Sequence, residues 1–150
     1  AKLYIDEPGS SEVQRLVDQA ELVTTSVVAY SEARAALARR RREKYLKPAG
    51  YRRAKAALDA DWPSILTLEV AETLAKSAGD LAERHRLRGF DALHLASYLF
   101  IVREFEGEEV RFASADHALG RAAKRAARAA RLTVARRGPH SRSRGRSRRR

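Results

Sequence analysis

Three carboxylates, Glu32, Asp91 and Asp116, are placed where an acid needs a reason. Glu32 has Val28, Ala29, Ala35 and Ala36 at the i−4, i−3, i+3 and i+4 positions of a helical pattern, so it projects from an apolar face. A carboxylate half removed from water requires a positive partner, or an edge from which it can reach solvent. Arg34 lies on a different side of the same helix and is a poor partner. Asp91 stands at the mouth of "DALHLASYLFIV", a segment apolar nearly all round, as a helix buried on several sides is written. Asp116 follows the strand-like "VRFAS" by two residues and opens the next helix. The plain alternative for each aspartate is an N-cap. Taken together, all three fall in the first turn or two of a helix that follows a strand or extended entry. In a parallel sheet such helix starts share one rim. Three carboxylates on one rim repel unless a divalent cation lies between them, and oxygen ligands alone suit Mg2+ or Mn2+ rather than zinc. That points to metal-assisted hydrolysis of a phosphodiester, with water as nucleophile.

The elements that would position these acids alternate along the chain. "EPGSSEVQRLVDQA" gives a turn at Pro8 and Gly9, a cap at Ser10 or Ser11, and a helix. "ELVTTS" reads as a strand at residues 22–26. The stretches "VVAYSEARAALARRRREKYL" and "AGYRRAKAALDADW" read as helices separated by Pro48 and Gly50. "PSILTLE" is a second strand, and "EVAETLAKSAGDLAERHRL" is helical, its apolar stripe passing Gly79. After the apolar helix at 91–103, Val110 to Ser114 form a third strand, "DHALGRAAKRAARAA" a helix, and "RLTVA" a last short strand. Such alternation predicts an α/β domain: a parallel sheet flanked by helices.

The bulk numbers narrow the setting. With 150 residues the chain has the length of one domain, and the absence of cysteine excludes disulfides and Cys-ligated zinc. No secretory h-region or membrane-length apolar span occurs, so a soluble cytoplasmic protein is expected. The formal charge is +12, but the last fifteen residues carry eight arginines and no acid, which leaves +4 for residues 1–135. The domain is therefore placed at 1–135 and a disordered Arg/Ser-rich tail at 136–150, able to grip nucleic-acid phosphates without sequence preference or simply dispensable.

The segments "LYIDEPGSSEV", "TTSVVAYSEARAALARR", "LAERHRLRGFDALHLAS" and "VRFASADHALGRAA", over residues 2–125, resemble the PIN domains, and specifically the VapC-type toxins of type II toxin-antitoxin pairs. The resemblance implies a three-layer PIN fold and an endoribonuclease using Mg2+ or Mn2+, with Glu32, Asp91 and Asp116 as metal-site and catalytic acids. It implies that Ser114 helps hold Asp116 or its water, that a cognate VapB-like antitoxin inhibits the enzyme, and that the protein is a homodimer. Family members begin with a strand ending in a ligand aspartate. "AKLYIDEPGS" matches a later stretch instead, with Glu7, Pro8 and Gly9 turning where the family needs a helix, so that strand and acid are expected to be missing and Asp6 is a turn residue. In that event the chain would bind Mg2+ weakly and cleave RNA poorly.

The remaining candidates are read from position. His94, three residues after Asp91, is a core-facing residue or a support beside the acids; His85, His117 and His140 show no ligand spacing. Arg86 and Arg88 precede Asp91 and could meet an RNA phosphate or balance the acids. Arg39 to Arg42 end their helix, where cations suit the dipole, and Trp62 beside Pro63 reads as a packing anchor. The rival to the enzyme is a catalytically impaired PIN-like relic that binds RNA or an antitoxin. A DNA-binding regulator is weak, for no recognition-helix pattern appears.

Overall fold

Two short parallel strands carry the chain between helices that do most of the packing. The computed structural model describes residues 2–114 and 116–137, with side chains described as far as residue 130. In chain order the elements are α1 (Ser10–Asp18), β1 (Thr24–Ser26), α2 (Val28–Arg42), α3 (Pro48–Asp61), a 3-10 turn (Trp62–Ser64), β2 (Leu66–Leu68), α4 (Glu72–His85), α5 (Gly89–Glu104) and α6 (His117–Arg137). β1 and β2 pair in parallel with Thr24 opposite Leu66 and Ser26 opposite Leu68. This is the α/β arrangement expected, a parallel sheet flanked by helices, with a smaller sheet.

Local chemistry explains the element ends. Gly9 caps α1 at φ 87°, a left-handed conformation that costs glycine little, so the cap is Gly9 rather than Ser10 or Ser11. Ser10 instead donates its hydroxyl to the Ile5 carbonyl and accepts the Glu7 N–H, which ties the N-terminal turn to the helix. Pro48 opens α3 at its first position, where a missing N–H costs nothing. Gly79 is absorbed within α4.

Two strand expectations are corrected. Residues 110–114 form no strand: among the described residues the sheet has only β1 and β2, so Val110 to Ser114 have no neighbouring strand on which to build a ladder. "RLTVA" is helical, because the alanine- and arginine-rich α6 propagates through it to Arg137. The boundary placed at 135/136 falls inside α6, and residues 138–150 lie outside the described residues.

The core divides into two clusters. One joins α4, α5 and α6 through Ala78, Leu81, Ala92, Leu95, Leu99 and Ala122 and their neighbours. The other joins the N-terminal turn to α2 and α3 through Ile5, Leu37, Ala54 and Leu58, with Trp62 packed against it. Trp62 meets Tyr30 edge-on at 5.1 Å, the anchoring role its sequence position implied. Among the described residues no helix is long and apolar enough to cross a membrane.

Candidate active site

Glu32 stands in the second turn of α2, and its partner comes from the other core cluster: Oε2 lies 2.5 Å from Nε2 of His94 on α5. The side chains are 38 % and 20 % exposed, so the pair sits at a rim rather than in the interior. Arg34, the residue set aside as a partner, is engaged elsewhere, with Asp59 at 3.3 Å and the Tyr30 hydroxyl at 2.7 Å. The positive or hydrogen-bonding group that Glu32 requires is therefore a histidine 62 residues away. Two sequence signals together could have found it: an acid on an apolar face without a local partner, and an imidazole on a helix otherwise apolar all round.

Asp91 occupies the first turn of α5, one helical step from His94 (i, i+3) and on the same side of the helix. It is not the N-cap. α5 begins at Gly89, two residues earlier than the apolar run suggests, and Arg88 in extended conformation holds the cap position. The half-buried Asp91 carboxylate has no hydrogen-bond or ion-pair partner among the described residues. Ahead of it, Arg86 and Arg88 are both exposed, on the turn that joins α4 to α5.

Asp116 does cap a helix. Its Oδ1 accepts the backbone N–H groups of Ala118 at 2.7 Å and Leu119 at 3.0 Å, and these two donors hold its carboxyl below the ordinary value of 3.8. Ser114 supports it from the other side, its Oγ accepting the Asp116 N–H at 3.0 Å. One further polar atom stands out: the hydroxyl of Ser26, 1 % exposed at the end of β1 that feeds α2, has no hydrogen-bond partner among the described residues.

The all-carboxylate donor set suits a hard dication. Its placement does not: among the described residues no three His, Asp or Glu side chains gather closely enough to hold an ion. Glu32 is held by His94, Asp116 is turned to its own helix, and the two pairs are separate. The arrangement brings Glu32 of α2 against His94 of α5, with Asp91 one turn before His94 on its helix; it pairs Ser114 with Asp116. It does not bring the three acids into a single cluster. Asp6 is exposed in the N-terminal turn, its carbonyl accepting the Tyr45 hydroxyl, as a turn residue would be.

Comparison with known proteins gives two results of one kind. Residues 2–125 match the model of the PIN domain. Two curated relatives, ribonuclease VapC45 and ribonuclease VapC49, both of Mycobacterium tuberculosis, are each 38 % identical over 100 residues, which covers 67 % of this chain and 69 % of theirs. No solved structure matches the chain.

Proposed function

We propose that this chain, which belongs to the PIN domain family, is a VapC-type toxin that hydrolyses RNA phosphodiester bonds internally, using Mg2+ or Mn2+ and a water nucleophile. The observation that carries the reading is the contact of Glu32 with His94, which joins the helix starts bearing Glu32 and Asp91 across the seam between the two core clusters. The two relatives named as ribonucleases supply the reaction class.

In this reading Asp91, Glu32 and Asp116 would hold the ion only once drawn together, since among the described residues they do not form one cluster. Bound there, a dication supplies an activated water and neutralises charge on the phosphate. What the protein's own groups do is narrower. Asp91 offers an unpartnered carboxylate at the positive end of α5. His94 fixes the direction of the Glu32 carboxylate, so that one oxygen is held and the other left free. Ser114 fixes the backbone of Asp116. Arg86 and Arg88 meet a substrate phosphate on the approach to Asp91. A VapB-like antitoxin as inhibitor and a second copy of the chain as dimer partner complete the proposal.

The test is cleavage of a labelled RNA across a Mn2+ or Mg2+ titration, with Asp91→Asn as control. Metal-dependent scission is expected in the parent, abolished by chelation and lowered roughly 100-fold or more by the substitution. Cleavage indifferent to both would remove the carboxylates from the chemistry.

A further inference from the structure

The end of the α2–α3 hairpin carries charge for which the acid site has no use. Residues 39–55 contain nine lysines and arginines and one acid, Glu43, whereas the other residues up to 135 contain fourteen cations and eighteen acids. The positive charge of the chain up to that point is thus concentrated in one short segment, on a remainder that is net acidic.

Part of this charge is accounted for by the fold. Arg40 pairs with Glu7 at 2.5 Å and with Glu43 at 3.4 Å, and its guanidinium lies 5.2 Å from the centre of the Tyr45 ring. Arg39 reaches Glu43 at 4.0 Å. Arg41, Arg42, Lys44, Lys47, Arg52 and Arg53 have no acidic partner among the described residues, and all but Arg41 are exposed. Favourable interaction with a helix dipole explains the cations that end α2, but not those that begin α3. Lys47 occupies the N-cap of α3, where the dipole disfavours a cation, and Arg52 and Arg53 follow in its second turn. The hairpin holds this repulsive set on a firm mount: Leu37, Ala54 and Leu58 are buried between the helices, and the Leu46 N–H closes the turn on the Arg40 carbonyl.

We infer that the end of the α2–α3 hairpin binds the phosphate backbone of RNA, at a surface separate from the reacting carboxylates. The choice of RNA rests on the proposed ribonuclease function. A polyanion with little apolar area fits the patch, because Tyr45 is its one exposed large apolar side chain, whereas a protein partner would be met by an apolar centre. Arg39 and Arg42 lie seven and ten residues beyond Glu32 on one helix, about 10 to 15 Å along its axis. At about 3.4 Å per stacked nucleotide, a strand engaging both places extends some three to four nucleotides from the acid site.

The experiment measures fluorescence anisotropy of a labelled single-stranded RNA 20-mer with the full chain and with the variant Arg42→Gln, Lys47→Gln, Arg52→Gln, Arg53→Gln, over a range of NaCl. The C-terminal arginines are common to both proteins and cancel in the difference. The variant should keep the parent's helical circular dichroism, bind at least tenfold more weakly at low salt, and lose about 2 to 3 from the slope of log affinity against log salt, at about 0.7 per phosphate contact. Arg53→Gln alone should lose about 0.7. Unchanged affinity and slope overturn the inference. So does loss of poly-glutamate binding with RNA binding intact, which would give the surface to an acidic protein. Binding is read without turnover, so a parent that cleaves nothing but loses slope in the variant sinks the ribonuclease reading and leaves this surface standing.

Discussion

Asp116 serves its own helix and is also a proposed metal ligand, and the two roles separate by substitution. Asp116→Asn keeps an oxygen to accept the N–H groups of Ala118 and Leu119, so stability should change little while cleavage is lost; Asp116→Ala should lose both, with about 1 kcal/mol of stability gone with the cap. Denaturant titration beside the cleavage assay reads the two effects apart. Tyr4 gives a pH signature. Burial, then the neighbouring Asp61, pushes its phenol up to about 12 from 10.0. A raised folded value means a contribution fully present below pH 10 and lost as pH climbs toward 12, so alkaline unfolding should begin in that window and shift upward in Tyr4→Phe. The acids themselves were legible in the sequence, because each interrupts an apolar or helix-start pattern. The imidazole that meets Glu32 was not assigned to it, because nothing local in a sequence links residues 62 apart.

At the scale of elements, α5 was the most readable: a helix buried on several sides can only be written with apolar residues all round, and Ala92, Leu95, Ala96, Leu99 and Ile101 are buried as that pattern requires. The third and fourth strands were misread for a shared reason. A β-branched run states that a segment could pair, not that a neighbour exists, and "RLTVA" follows an α6 segment whose helix propensity outweighs five residues of strand preference. The turn between α4 and α5 contains a testable strain. Arg86 ends α4 at φ 54° and ψ 46°, left-handed for a residue with a side chain. Arg86→Gly should therefore stabilise the fold by about 1 kcal/mol in thermal unfolding while weakening RNA binding, opposite signs that distinguish the backbone of this residue from its guanidinium.

For the whole molecule, the balance of charge is the feature composition conveyed least well. A total of +12 suggests a uniformly basic protein, but without the C-terminal arginines and the hairpin the rest is net acidic. The division of the core has a further consequence. One cluster belongs to α2 and α3, the other to α4, α5 and α6, and the Glu32–His94 contact crosses between them. Two separate cores predict that each half opens on its own time scale, and under the proposed function an ion or substrate seated across the join would act as a clasp between them. Amide hydrogen exchange should then report two rates in the free protein, converging on one slower rate when Mn2+ is added, with no such convergence in Asp91→Asn.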